Sequence, residues 1–282
     1  MALPANCSEQ ELIRLLELFP IKSLREAWPN TKGTKDELSK EIAIQRDLEP
    51  IADFVDANFN LCKQHVYVLG TNTPKLPPGA DVAVMVKKAA GAEPHALYVA
   101  RVEYAVVLRN PFEEITLPFL WPFRVDLIGK HFLLRFVVLE KNLATYLNRP
   151  LVKADRSLDE ENVLESFGAN LALKAVDLNK GVKKLWAADF MDARRAQYKK
   201  PNSTATEAMD EARGIKKDNL DIYKLIVKVP LYETLFVIPA TKEKKEVALW
   251  IDPTRGKIRF PRYAENMGDT DNVIRDILKK NS

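Results

Sequence analysis

The stretch ALYVARVEYAVVLRN, residues 96–110, has the composition of a β-strand, with β-branched and aromatic side chains along most of its length. Similar runs lie on both sides of it: DVAVMVKK (81–88), RVDLIG (124–129) and HFLLRFVVLE (131–140). Together they predict neighbouring strands of an antiparallel sheet. ITLPFLWPF (115–123) lies among them, and its two prolines favour an edge or a loop that crosses the sheet.

The first sixty residues have a different, helical pattern. Ser8 is a candidate N-cap, and Glu11 three residues later completes a capping box. Three further helices are predicted, over residues 21–28, from Thr34 onward and over 48–63, because their apolar residues recur three and four positions apart. We therefore expect a small helical domain over residues 1–64, followed by a second domain over residues 65–282.

The second half of the chain mixes both patterns. Helices are predicted over residues 158–173 and 176–200, a polar loop with one short helix over 199–214, and a closing helix over 269–280. Strands are predicted at DIYKLIVKV (221–229), ETLFVIP (233–239), EVALWID (246–252) and GKIRF (256–260). Helices and strands that occur in groups, without strict alternation, favour an α+β protein with a largely antiparallel mixed sheet.

Composition limits the classes of protein to consider. The chain of 282 residues is 46% hydrophobic and 29% charged, which is typical of a folded protein, and its net charge of +4 is mild. The two cysteines, Cys7 and Cys62, are interpreted as buried thiols of a reduced compartment. No signal peptide or membrane span is apparent, so an intracellular location, cytoplasmic or nuclear, is expected.

The sequence contains no recognisable catalytic pattern. The nucleotide-binding patterns G-x-G-x-x-G and G-x-x-x-x-G-K-[ST] and the nucleophile pattern G-x-S-x-G are absent, and the three histidines have no metal-site spacing. We therefore predict no catalytic residues, no metal site and no cofactor. The balance is against an enzyme, although a nuclease assembled from scattered Asp, Glu and Lys remains a third possibility.

Binding features are better represented. RGKIRFPRY (255–263) contains four basic residues, Arg255, Lys257, Arg259 and Arg262, and no acidic residue. Alternation in a strand places Lys257 and Arg259 on one face, where they could follow a phosphate backbone. The alternative is a solvated edge strand whose charges prevent aggregation.

A second basic cluster, RRAQYKK (194–200), is predicted at the end of a helix, where cations also stabilise the C-terminus. From residue 174 to 282 the chain has 23 Lys and Arg against 16 Asp and Glu, a difference of +7. Its positive charge is therefore concentrated in the C-terminal part.

Residues 21–42, IKSLREAWPNTKGTKDELSKEI, resemble the SAP motif and related helix-extended loop-helix modules. The match comprises an apolar-x-x-Leu helix, a loop that ends in glycine, and Gly-x-Lys-x-Glu-Leu at the start of the second helix. The matching residues are Ile21, Leu24, Gly33, Lys35, Glu37, Leu38 and Ile42. The resemblance implies binding of duplex DNA, with Lys32 and Lys35 near phosphates at a helix N-terminus.

The order of the elements is also similar to the layout of the centromere protein N family. That layout has a pyrin-like helical bundle, here with LFPIKSLREAW (18–28) and TKDELSKEI (34–42), followed by KQHVYVL (63–69) and an antiparallel sheet. The resemblance rests on order and spacing, and it implies binding to nucleosomes and neighbouring kinetochore proteins.

The leading hypothesis is therefore a non-enzymatic, DNA-binding protein. Its expected contacts are Lys32 and Lys35 in the first domain and Arg255, Lys257, Arg259 and Arg262 in the second. The alternative is a protein-interaction or assembly module, in which the helical domain and the sheet edges recognise another protein.

Overall fold

A computed structural model describes the chain except residues 1–2, 46, 72–75, 77–82, 92, 110, 140–142, 144–146, 148–150, 172, 201–202, 209–212 and 242–244. It confirms the predicted α+β class. The residues group into two compact units: unit 1, Met1–Cys62 with Thr71–Leu173, and unit 2, Lys63–Gly70 with Lys174–Ser282. This division differs from the predicted boundary at residue 64, since unit 1 includes the long strands after the helices.

Unit 1 begins with four helices followed by a short 3-10 turn. They are α1 (Glu9–Leu16), α2 (Ile21–Ala27), α3 (Lys35–Gln45), α4 (Leu48–Asn58) and the turn Phe59–Leu61. Ser8 and Glu11 form the predicted capping box at the start of α1. Leu12, Leu16 and Phe19 are fully buried, so the predicted apolar face of this helix is part of the core.

The strands of unit 1 form an antiparallel sheet. Numbered along the whole chain, with β1 in unit 2, they are β2 (Val84–Ala89), β3 (His95–Leu108), β4 (Glu113–Ile128), β5 (His131–Val137) and β6 (Leu151–Arg156), and helix α5 (Glu160–Leu171) follows. Strand β3 pairs with β4 on one side, and with β2 and β6 on the other.

The proline-containing stretch 115–123 lies inside β4, and is not a loop. It pairs with β3, whereas the register of β5 against β4 begins only at Phe123. Proline has no N–H to donate, so it is tolerated where a strand pairs on one side. The expected edge character is therefore present for most of this stretch.

The described residues of unit 2 form the other strands and helices. They are β1 (Gln64–Gly70), β7 (Lys174–Ala175), α6 (Asn179–Ala187), β8 (Asp192–Lys200), β9 (Ser203–Ala208), α7 (Ile215–Asp218), α8 (Leu220–Ile226), β10 (Thr234–Ile238), β11 (Val247–Asp252), β12 (Lys257–Phe260) and α9 (Asp269–Asn281). The main path of its sheet is β1-β12-β11-β10-β8-β9, and every pairing along it is antiparallel.

The two faces of this sheet differ. On one face alternate residues such as Phe236, Leu249 and Ile258 are fully buried, and the ring centroids of Trp186 in α6 and Phe236 lie 5.4 Å apart, so we call it the helix-covered face. The other face has half-buried or exposed side chains on β8, β10, β11 and β12. We call it the polar face.

Three predicted elements of unit 2 are wrong. The helix predicted to end at residue 200 ends at Ala187, and Asp189 has a φ of 57°, a left-handed conformation that turns the chain into β8. The predicted loop contains β9, which pairs with β8. The predicted strand 221–229 is instead helix α8, capped by the Asn219 side chain, which accepts a hydrogen bond from the amide of Ile222 at 3.0 Å.

No helix among the described residues is long and apolar enough to cross a membrane.

Candidate nucleic-acid interface

The segment that resembles a SAP motif forms the predicted helix-loop-helix unit. Gly33 ends the loop with a φ of 120°, a conformation that favours glycine. Arg25 donates a hydrogen bond to the Gly33 carbonyl oxygen at 2.9 Å, which joins α2 to the loop. Trp28 anchors the unit through the Phe54 ring of α4, with 4.9 Å between the ring centroids.

The N-terminus of α3 already contains a carboxylate. Glu37 accepts hydrogen bonds from the Thr34 amide at 2.7 Å and from the Thr34 hydroxyl at 2.9 Å. These bonds lower the pKa of Glu37, so it is negatively charged at neutral pH. A phosphate that binds at this helix end would have to displace the Glu37 carboxylate or bind close to its negative charge.

The two lysines of this segment, Lys32 and Lys35, differ in how available they are for binding phosphate. Lys35 is half-buried, and its Nζ donates to the carbonyl oxygen of Glu17, the C-cap residue of α1. It therefore joins α3 to the end of α1, where a cation is favourable. Lys32 is exposed in the loop.

Strand β12 has the alternation predicted for it. Ile258 and Phe260 are buried on the helix-covered face, and Lys257 and Arg259 are half-buried on the polar face. However, β12 pairs with β1 on one side and with β11 on the other, so the alternative of an edge strand is wrong.

Both basic residues of β12 have neighbours on that face. Lys257 donates a hydrogen bond to the Tyr67 hydroxyl, and its ammonium lies 4.6 Å from the centre of the Tyr67 ring. Arg259 forms an ion pair with Glu233 and lies over the Trp250 ring at 5.6 Å from its centre. The charge of Arg259 is therefore partly compensated by Glu233, and Lys257 is engaged with Tyr67.

Arg259 belongs to a row of residues that crosses the sheet. The register places Arg259 opposite Trp250, Trp250 opposite Leu235, and Leu235 opposite Arg195. The Arg195 guanidinium lies 5.9 Å from the centre of the Trp250 ring, so guanidiniums of two different strands contact one indole. We call Arg259, Trp250, Leu235 and Arg195 the Trp250 row.

Arg195 belongs to the second basic cluster, residues 194–200, but it is not among the contacts that the sequence predicts, because this cluster is predicted to be the end of a helix. A β-bulge in β8 places Leu235 opposite Arg195 and Phe236 opposite Ala193, which leaves Arg194 as the extra residue. Arg194 pairs with Glu246 at 2.8 Å, whereas Arg195 is exposed and has no ion pair within the part of the chain that the structure describes.

The other two predicted residues lie at opposite ends of β12. Arg255 is in the 3-10 turn before the strand, highly exposed, with its Nε 3.7 Å from Asp252 Oδ2. Arg262 follows the strand and lines a cavity beside α9. The structure therefore brings Lys257 and Arg259 together on one face, and separates Arg255 and Arg262 from each other.

Among the described residues, no three His, Cys, Asp or Glu side chains lie close enough together to hold a metal ion. No protein-family model, curated relative or solved structure matches this chain.

Proposed function

We propose that the chain is a non-enzymatic nucleic-acid-binding protein that contacts the phosphate backbone through the polar face of unit 2. The observation that carries the proposal is the Trp250 row, in which two arginines from β8 and β12 lie on either side of a half-buried tryptophan. Arginine, lysine and an adjacent aromatic ring are the groups with which proteins contact sugar-phosphate chains without reading sequence.

The spacing of the cations supports this function. Arg195 and Arg259 are three strands apart, which is about 14 Å at the usual strand separation. Lys257 is two residues from Arg259 and on the same face, about 7 Å along the strand. Three cations spread in two directions suit a backbone that runs across the strands better than one small anion.

The charge balance predicts weak binding. Glu233 pairs with Arg259 on this face, and Asp252 lies beside Arg255, so the cations are only partly free. About three phosphate contacts would give a slope of about −3 for log affinity against log salt concentration. We therefore expect binding that is detectable in low salt and independent of sequence.

The N-terminal unit has a smaller role in this proposal. Its resemblance to SAP motifs motivates duplex DNA as the ligand, and exposed Lys32 is available for a phosphate contact. Lys35 is engaged at the end of α1, and Glu37 occupies the N-terminus of α3. We therefore expect Lys32 to contribute less than the Trp250 row.

The test is fluorescence anisotropy with labelled duplex DNA, single-stranded DNA and RNA at several salt concentrations from 50 mM. Arg195→Ala should weaken binding severalfold for every sequence and reduce the salt slope by about 1. Arg213→Ala is the matched control, because Arg213 is an exposed arginine outside the row. Undetectable binding at 50 mM salt, or equal effects of the two variants, would refute the proposal.

A protein partner is the second candidate, and the same row is the observation that favours it. Trp250 and Leu235 are only half-buried, and tryptophan and arginine are enriched among residues that dominate protein interfaces. A Trp250→Ala variant distinguishes the two functions in pull-down experiments with nuclease treatment. Partners that survive nuclease and disappear in Trp250→Ala would favour the protein-interaction function.

A further inference from the structure

A cavity of about 370 Å³ lies in unit 2, next to the last residues of β10 and β12 and the first residue of β11. Its apolar wall includes Ile238, Val247 and Phe260, and Val273 of α9 lines it as well. This volume is within the range of pockets that hold small organic molecules. Phe260 belongs to the helix-covered face, so the cavity is not part of the Trp250 row.

One polar group in the cavity wall has no partner. Thr270, in the first turn of α9, is 3% exposed, and its hydroxyl oxygen forms no hydrogen bond with any described residue. A buried hydroxyl normally has a donor or an acceptor beside it. The oxygen is closed off from solvent in this conformation, so a ligand in the cavity would supply a partner after the Thr270 side chain rotates about its Cα–Cβ bond, since a hydroxyl can either donate or accept.

The charged residues around the cavity are mainly acidic. Among the described residues, four carboxylates and two cations line it: Glu246, Glu265, Asp269, Asp276, Lys245 and Arg262. Three carboxylates are engaged: Glu246 pairs with Arg194, Glu265 pairs with Lys245, and Asp269 accepts from the Asn266 amide at 3.0 Å.

Asp276 is the exception among these carboxylates. It is half-buried on α9, and it has no hydrogen bond or ion pair with the residues that the structure describes. Arg262 also has no ion pair within the described chain, but its side chain is exposed, so solvent screens its charge. A positive group on a ligand would therefore be favoured beside Asp276.

We propose that this cavity binds a compact apolar amine, with an aromatic or branched aliphatic body and one protonated amino group. The body fills the space next to Ile238, Phe260 and Val273. The ammonium pairs with Asp276, and the Thr270 hydroxyl forms a hydrogen bond with a polar atom of the ligand. This site does not depend on nucleic-acid binding, because the Trp250 row lies on the other face of the sheet.

The experiment uses three probes that differ only in their polar group: 3-phenylpropylamine, 3-phenylpropanol and 3-phenylpropionate. Binding to the full chain is measured by titration calorimetry and by ligand-observed NMR. We expect the amine to bind at least tenfold more tightly than the alcohol, and the carboxylate to bind most weakly. Equal affinity of amine and alcohol, tightest binding of the carboxylate, or no binding of any probe would overturn the proposal.

Two variants locate the site. Asp276→Asn should remove the preference for the amine over the alcohol and leave binding of the alcohol unchanged, whereas Thr270→Val should weaken both probes severalfold. Asp221→Asn is the control, because Asp221 is a highly exposed carboxylate on α8 outside the cavity. An amine preference that persists in Asp276→Asn would contradict the assignment.

A third variant covers the case in which Asp276→Asn does not fold. Val247 lines the cavity from β11 and is on the same face of the strand as Leu249, so Val247→Phe should fill the space and abolish binding of all three probes. Circular dichroism of each variant confirms that it is folded before titration. Undiminished amine binding to folded Val247→Phe would place the amine elsewhere and overturn the proposal.

Discussion

The buried carboxylate of Asp126 holds together a charge cluster in unit 1, and its removal is the sharpest test of how that unit is stabilised. Arg124 Nε lies 2.9 Å from one Asp126 oxygen, and Arg135 Nε donates to the other. Arg135 is 1% exposed and Arg124 6%, so neither guanidinium can turn to bulk water without local unfolding. Two buried guanidiniums therefore contact the same carboxylate.

The cost of losing that anion follows from the two cations. Burial by itself raises the pKa of Asp126, but the Arg135 and Arg124 guanidiniums more than offset this, so the pKa is lowered from 3.8. Asp126→Asn keeps the shape and removes the charge. Removing one partner of a buried ion pair costs about 3–5 kcal/mol, and Asn keeps one acceptor oxygen, so we expect a loss of about 3 kcal/mol.

Urea unfolding followed by far-UV circular dichroism measures this loss. The control is Asp155→Asn, because Asp155 and its partner Lys153 are both more than half exposed, and an exposed pair contributes about 0–1 kcal/mol. Arg124 also donates to Asn60 Oδ1 at 2.7 Å, so its guanidinium keeps this hydrogen bond in the variant. If Asp126→Asn costs no more than Asp155→Asn, the cluster does not stabilise the unit in this way.

The same carboxylate predicts a dependence on pH. Because its pKa is lower in the folded state, the stabilisation by Asp126 is present above about pH 4 and is lost as the pH falls below that value. Wild-type protein should therefore lose more stability between pH 5 and pH 3 than Asp126→Asn does. Equal losses in the two proteins would contradict the lowered pKa.

Two further predictions concern packing and reactivity. Gly181→Ala should destabilise the protein by about 1–3 kcal/mol in urea unfolding, because an added Cβ would overlap the Ile277 backbone oxygen of α9. The control is Gly268→Ala, which should have a much smaller effect because only the Asn272 side chain is near the added Cβ. Cys62 is fully buried, and burial raises the pKa of its thiol. In a Cys7→Ser variant, this thiol should therefore react with a thiol reagent at pH 8 at least about 100-fold faster in urea than in the native state. A rapid reaction in the native state would contradict the burial of Cys62.

Local features of the sequence were predictable because their interactions are local. The Ser8–Glu11 capping box and the turn at Gly33 each depend on residues within about four positions. The alternation in β12 follows in the same way from the pleat of a strand. These features of the N-terminal helices and of the candidate interface could be predicted without knowing the rest of the fold.

The other parts depend on partners far away in sequence. Residues 192–200 were predicted to be helical, and they form a strand because β9 and β10 pair on either side of it. The Trp250 row combines residues of β8, β10, β11 and β12, so no spacing within one segment could have indicated it. Pairing partners of this kind decide strand formation more than intrinsic propensity does.

The start of α3 explains why the proposed binding surface is centred on unit 2 and no longer includes Lys35, which the sequence predicted as a contact beside those of β12. The residues that match a SAP motif also stabilise the local fold: Lys35 binds the end of α1, and Glu37 caps its own helix. Groups already engaged in this way must break an intramolecular bond before they can bind phosphate, which reduces the net gain. Arg195 has no such ion pair to break among the described residues, so reversal of its charge should impair binding more than reversal of Lys35. A larger effect of Lys35→Glu than of Arg195→Glu, in variants of equal stability, would return the interface to the N-terminal helices.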